Sequence, residues 1–92
     1  MMASYYDMQR SMSEWLTKKG IKKLDAQKYI TSLFLALSED AVINSTKDLK
    51  LLIKESQTPK GLNEQGLKEM IEKDVYKSVV KTLNSIHKRL DK

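Results

Sequence analysis

The sequence predicts an all-α protein of about five helices. Apolar residues recur every three or four positions along most of the chain, and no stretch shows the apolar–polar alternation of a strand. One proline and three glycines among 92 residues leave few places where a helix would be interrupted. A chain of this length corresponds to one domain. We therefore expect a single helical domain over residues 1–92.

The first predicted helix spans about Ser4–Lys19. Ser4 and Asp7 have the spacing of an N-terminal capping box. Lysines near the end of this segment suit the negative C-terminus of a helix, and Gly20 supplies a stop signal.

The second predicted helix, from about Asp25 to Ile43, is apolar on nearly every side. Its middle, YITSLFLALS (29–38), carries no charged residue. A helix that is apolar all round must be covered all round, and the short helices of one chain would only barely cover it. We therefore predict a homodimer whose interface includes Tyr29, Leu33, Phe34, Leu35 and Leu37.

Three shorter helices complete the prediction. The third follows Ser45 or Thr46 as its N-cap, with Asp48 in the first turn, and the fourth spans about residues 62–73. Asp74 marks a break and caps the fifth helix, VYKSVVKTLNSIHKRL, whose apolar residues fill one arc of the helical wheel.

Composition argues against several classes of function. The net charge of +5 comes from lysine, with only two arginines, Arg10 and Arg89, whereas proteins that read bases and phosphates depend on arginine. The chain has no cysteine and one histidine, which argues against disulfides and a conventional zinc site. No signal peptide and no apolar run of membrane-spanning length is present, so we expect a cytoplasmic protein.

The segment TPKGLNEQGL, residues 58–67, contains the only proline and two of the three glycines. Pro59 fits the first turn of a helix, with Thr58 as its cap. Gly61 permits a conformation or a close approach that a side chain would forbid. Gly66 inside the next helix costs ~1 kcal/mol relative to alanine, which indicates close packing of another backbone or of a ligand. Free N–H groups at a helix start attract anions, so the loop is a candidate anion site, with a plain interhelical turn as the alternative.

This segment resembles the glycine-rich loop of pyrroline-5-carboxylate reductases. Pro59 and Gly61 match that loop's proline and second glycine, and Lys60 stands where the family has a glycine. Gly66 matches the small residue one turn into the helix that follows, and Asn63 stands where the proline enzymes have a threonine. The segments MASYYDMQRSMSEWLTKKG and DAQKYITSLFLAL resemble the opening and the long buried helix of the family's C-terminal domain. The resemblance covers essentially the whole chain.

The resemblance implies an interlocked helical dimerisation domain of the 6-phosphogluconate dehydrogenase C-terminal-like type. In the family, this loop binds the carboxylate of a cyclic imine, next to a nicotinamide held by another domain. Carried over, Thr58, Gly61 and Asn63 would bind a small carboxylate substrate. The resemblance implies NAD(P)H as the cofactor of a parent oxidoreductase of proline biosynthesis. For this chain itself we expect no cofactor, since the sequence has no G-x-G-x-x-G fingerprint. The chain resembles the C-terminal domain detached from its enzyme, and we expect it to be inactive alone. The sequence identifies no catalytic residue in it.

Two other functions stay open at the level of sequence. One is a free-standing small helical domain that binds another protein. The other is a basic helical protein that binds nucleic acid, with phosphate contacts from its lysines.

Overall fold

A computed structural model of the protein describes residues 1–90, which contain five α-helices and no strand. The helices are α1 (Met2–Lys18), α2 (Lys23–Ile43), α3 (Leu49–Glu55), α4 (Leu62–Glu72) and α5 (Val75–Leu90). They divide between two compact units, α1 and α2 in residues 1–46 and the remaining helices from Lys47 onward. The predicted all-α fold of five helices is confirmed. The single domain over residues 1–92 stays a prediction.

In the first unit, α1 and α2 form an antiparallel hairpin with a small core. Ala26 and Ile30, one turn apart on α2, are buried against α1. Gln9 of α1 is buried at the same contact, with 6 % of its surface exposed. Near the open end of the hairpin, the ring of Tyr5 meets the ring of Phe34 edge-on, with centroids 5.8 Å apart. Only one side of α2 is covered by this packing.

Gly20 ends α1, as predicted. Its φ of 107° lies in the left-handed region that favours glycine. The Gly20 N–H donates to the carbonyl of Thr17, and the Ile21 N–H donates to the carbonyl of Leu16. These two bonds form a Schellman motif, which satisfies the last carbonyls of the helix and turns the chain towards α2.

The predicted capping box at the start of α1 is wrong. The helix begins at Met2, so Ser4 lies inside its first turn and makes no cap. Asp7 instead accepts a hydrogen bond from Nε of Arg10 at 2.8 Å. The residues before Ser4 are methionine and alanine, which favour helix, so the helix extends upstream of the capping signal. The start of α2 is close to its prediction, at Lys23.

The N-cap of α3 is Asp48, not Ser45 or Thr46. The Oδ1 atom of Asp48 accepts a hydrogen bond from the backbone N–H of Lys50 at 2.9 Å. Ser45 belongs to the turn that ends α2, where its N–H donates to the carbonyl of Val42.

Asp74 separates α4 from α5, as predicted. Its φ of 56° is left-handed, a conformation that aspartate tolerates better than most residues. Its carbonyl accepts a hydrogen bond from the N–H of Ser78 and so begins the hydrogen bonding of α5.

The second unit lacks a buried apolar core among its described residues. No side chain of α3, α4 or α5 is fully buried. Leu52, Leu67 and Val75 are half-buried, whereas Leu49 and Met70 are exposed. The apolar arc of α5 is also exposed, so these helices present more apolar surface than they cover.

Candidate functional site

The loop between α3 and α4 contains a tight turn over residues 58–61. The N–H of Gly61 donates to the carbonyl of Thr58 at 2.7 Å, which closes the turn. Pro59 occupies the second position and Lys60, with φ of 63°, the third. A proline followed by a residue of positive φ is the pattern of a type II turn. Pro59 is therefore a turn residue. The prediction that it lies in the first turn of a helix capped by Thr58 is wrong, since the N-cap of α4 is Gly61.

Lys60 occupies a backbone conformation that suits glycine. The third position of a type II turn requires a positive φ, and a Cβ atom makes that region unfavourable by ~1–2 kcal/mol. The family resemblance places a glycine at this position, so the turn geometry gives a physical reason for that glycine.

We expect Lys60→Gly to raise the free energy of unfolding by about 0.5–1 kcal/mol, because it relieves the left-handed strain while adding some entropy to the unfolded chain. Urea unfolding followed by circular dichroism measures the change. Lys60→Ala, which keeps a Cβ atom, is the control and should leave stability nearly unchanged. A loss of stability in Lys60→Gly would show that the lysine side chain itself stabilises the loop.

Glycine is needed at position 61 because the backbone of Thr58 lies close to it, and not because of an unusual φ angle. Its backbone is extended, with φ of −84° and ψ of 174°, which any residue adopts. A Cβ atom built on Gly61 would lie 2.8 Å from the carbonyl oxygen of Thr58 and 3.2 Å from its Cβ. Of the two roles that the sequence left open for this glycine, the structure supports the close approach.

Asn63 ties the start of α4 to the end of α3. Its Nδ2 atom donates to the carbonyl of Ser56 at 2.9 Å across the loop. One N–H of the amide is used in this way. The second N–H and Oδ1 make no hydrogen bond to any described residue.

The backbone amides at the start of α4 are the other donors of the loop. The N–H of Gly61 donates to the carbonyl of Thr58, so it is not available to an anion. Leu62, Asn63 and Glu64 form the first turn, where N–H groups have no intrahelical acceptor, and Gly61 supplies no side-chain cap. These three amides make no hydrogen bond to a described residue, so they are the backbone donors of this loop that a ligand could use.

A shallow groove of about 450 Å³ lies beside the loop. Lys50 and Lys54, four residues apart on α3, line it together with Glu64 at the start of α4. Ile53, Gln57 and Pro59 complete the lining. The two lysines belong to no recognisable sequence motif, although their spacing of four residues places them on one face of a helix.

Gly66 lies in α4 with no atom within 4 Å of the position its Cβ would take. The predicted close packing therefore has no counterpart among the described residues of this chain.

We expect Gly66→Ala to raise the free energy of unfolding by up to ~1 kcal/mol, because alanine is the better helix former at an open position. Thermal unfolding tests this. A destabilised variant would indicate that a second copy packs its backbone against Gly66.

The residues predicted for the dimer interface lie on two sides of α2. Leu33 and Phe34 are half-buried and face α1, and Phe34 contacts Tyr5. Tyr29, Leu35 and Leu37 are exposed by about 60 % each. The structure of one chain leaves their role in an interface as a prediction.

Exposed apolar surface extends well beyond α2. Twenty-six large apolar side chains of the described chain are exposed, by fractions from 36 % at Met12 to 86 % at Leu62. Large apolar side chains are more often buried, so helices that leave this many of them in water have apolar surface that a partner could cover.

None of the helices within residues 1–90 combines the length and apolar character needed to cross a bilayer. The same residues contain no cluster of histidine, aspartate and glutamate suited to a metal ion.

A sequence model of the family described as pyrroline-5-carboxylate reductase dimerisation matches residues 1–92. No match was found among curated proteins or solved structures. The matched region includes α2 and the loop between α3 and α4.

Proposed function

Because the chain belongs to the pyrroline-5-carboxylate reductase dimerisation family, we propose that it forms the dimer-making and substrate-loop part of an NAD(P)H-dependent reductase. The parent enzyme reduces a cyclic imine or a related small acid in the cytoplasm. Two copies associate through α2, and the loop over residues 58–63 receives the carboxylate of the substrate.

The exposed apolar surface carries the dimerisation part of this proposal. Leu35 is 60 % exposed on the side of α2 that faces away from α1. Leaving such side chains in water is unfavourable by ~25 cal/mol for each Å² of apolar surface. A second copy of equal composition supplies a matching apolar surface.

The substrate part of the proposal is supported by the donors of the loop. The N–H groups of Leu62, Asn63 and Glu64 lie at the positive end of the α4 dipole, where an anion is favoured. The free N–H of the Asn63 side chain adds a further donor. Lys60 contributes a positive charge in the same turn.

The residues of this chain do not fit a nicotinamide dinucleotide. Its binding fingerprint needs a strand, a glycine-rich turn and a helix start in sequence, whereas residues 1–90 contain helices only. The proposal therefore assigns the cofactor and the hydride transfer to another domain. The role of this chain is to hold two active sites together and to position the carboxylate of the substrate.

Two measurements on the isolated chain test the proposal. Sedimentation equilibrium at micromolar concentration is expected to give the mass of a dimer, and a folded monomer under these conditions would contradict the dimerisation role. Titration with L-proline, as a stable analogue of the cyclic acid, is expected to shift the NMR signals of the Leu62 and Asn63 amides. Shifts confined to other residues would remove the loop from the substrate site.

A further inference from the structure

A second groove, of about 470 Å³, lies between α1 and α2. Gln9, Arg10, Ser13 and Glu14 line it from α1, and Gln27 and Thr31 line it from α2. Every residue of the lining carries a nitrogen or oxygen atom in its side chain. Small-molecule sites in proteins have volumes of ~300–1,000 Å³. The groove is therefore large enough for a small ligand, and its side chains suit a polar one.

Gln9 is the buried member of this lining. Only 6 % of its surface is exposed, and its carboxamide makes no hydrogen bond to any described residue. Buried polar groups in proteins almost always have a hydrogen-bond partner, so this exception calls for an explanation. Among the described residues, no side-chain nitrogen or oxygen atom is both closed off from solvent and unpartnered. The Gln9 amide therefore keeps an opening to the groove, where it presents a donor and an acceptor.

Two neighbours of Gln9 also have unused hydrogen-bonding groups. The side chains of Ser13, half-buried on α1, and of Gln27 on α2 make no hydrogen bond to a described residue. The Thr31 hydroxyl donates to the carbonyl of Gln27 at 2.9 Å, so only its oxygen lone pairs remain for a ligand. The groove thus offers two carboxamides and a hydroxyl, each of which both donates and accepts.

The charges around the groove balance. The guanidinium of Arg10 pairs with Asp7 through Nε and with Glu14 through Nη1, at 2.8 Å each. Lys23, the remaining charged residue of the lining, makes no ion pair to a described residue. Two cations and two carboxylates leave no net charge to attract an ion. The groove therefore favours an uncharged ligand that has both donors and acceptors.

We propose that the Gln9 carboxamide binds a small uncharged molecule with an N–H and a C=O group on neighbouring atoms, as in a lactam, a ureide or the edge of a nucleobase. A carboxamide and such a group form two parallel hydrogen bonds, in which each partner donates one and accepts one. Glutamine reads the edge of adenine in DNA by the same bidentate geometry. Ser13 and Gln27 bond to further polar atoms of the ligand.

This site is independent of the proposed function. It lies on the hairpin of α1 and α2, whereas the loop that we propose for the carboxylate of the substrate follows α3. The two sites also differ in chemistry. The loop offers N–H donors at a helix start, which suit an anion, whereas Gln9 needs a ligand that both donates and accepts.

The probe is 2-piperidone, an uncharged lactam, titrated into the unmodified chain labelled with nitrogen-15. The side-chain NH₂ signals of Gln9 are expected to shift and to saturate. N-methyl-2-piperidone, which lacks the N–H, is expected to bind about ten-fold more weakly, because one of the two hydrogen bonds is lost. Gln9→Met keeps the length of the side chain and should lose at least as much affinity. Gln65→Met, at an exposed glutamine of α4, is the matched control and should leave the affinity unchanged.

Saturating shifts of the Gln9 signals, with that preference for the N–H lactam, support the proposal. Equal affinity of the unmodified chain for the two lactams overturns it, whatever Gln9→Met does to folding. Gln9 signals that stay unmoved also overturn it, and would show that water or a second copy covering the groove is the partner of this amide. Sedimentation and the titration with L-proline address the proposed function separately, so either result leaves that proposal standing.

Discussion

Leu35→Glu is expected to convert the dimer to a monomer at micromolar concentration, with the dissociation constant raised by about 100-fold or more. In the single chain Leu35 is 60 % exposed and points away from α1, so a glutamate there remains in water. Glutamate also has nearly the helix propensity of leucine. In the proposed dimer the same carboxylate is buried without a cation, once in each copy. Sedimentation equilibrium over a range of concentrations measures the change.

The control for this prediction is Lys81→Glu, which adds a carboxylate to the polar face of α5. It should leave the dissociation constant unchanged, and the helical circular dichroism of both variants should match that of the parent chain. Phe34→Glu is a poor test because Phe34 is half-buried against Tyr5, so it would unfold the hairpin as well. An unchanged dissociation constant for Leu35→Glu would show that this side of α2 lies outside the interface.

Gly61→Ala is expected to lower the free energy of unfolding by about 1–3 kcal/mol, the usual effect of forcing an extra carbon into a tight contact. The new Cβ would lie 2.8 Å from the carbonyl oxygen of Thr58, a backbone atom that a side-chain rotation cannot move. Relief requires the turn to open, which breaks the hydrogen bond from the Gly61 N–H to that oxygen. Chemical unfolding followed by circular dichroism gives the size of the effect.

Gly66→Ala is the matched control, because it makes the same chemical change five residues away in open space. The two variants should change stability in opposite directions. Equal effects would show that the contact with Thr58 relaxes at little cost and that Gly61 is retained for another reason. A titration of Gly61→Ala with L-proline would then show whether the added methyl group keeps the carboxylate of the ligand out of the loop.

The sequence predicted the fold through its strongest local signals. The spacing of apolar residues indicated five helices, and Gly20 and Asp74 were correctly identified as the ends of α1 and α4. The errors lie at helix starts, where several residues compete for one role. Ser4 has the right spacing for a cap, but helix-favouring residues precede it, and Asp7 pairs with Arg10 instead. Asp48 replaces Ser45 because the chain is still completing α2 at Ser45.

The composition of residues 58–67 identified the loop, but it did not predict the geometry of the turn. Proline followed by lysine and glycine fits either a helix start or a type II turn, and the sequence does not choose between them. The choice depends on the hydrogen bond from Gly61 to Thr58, and the loop is further held by Asn63, which reaches the carbonyl of Ser56 seven residues earlier. A lysine with positive φ is rare enough that no sequence pattern would have indicated it at Lys60.

The connection between α1 and α2, which runs only from Lys19 to Lys22, sets the order of events during folding. Closing a loop this short takes well under a microsecond, and helical hairpins form in microseconds to milliseconds. Meeting a second copy is a bimolecular step that slows on dilution. Refolding is therefore expected to show a rapid gain of helix at a rate independent of concentration, followed by a slower phase that accelerates as concentration rises. Between the two phases the hairpin exists with Trp15 and Tyr29 uncovered, and this transient species is the one most prone to aggregate.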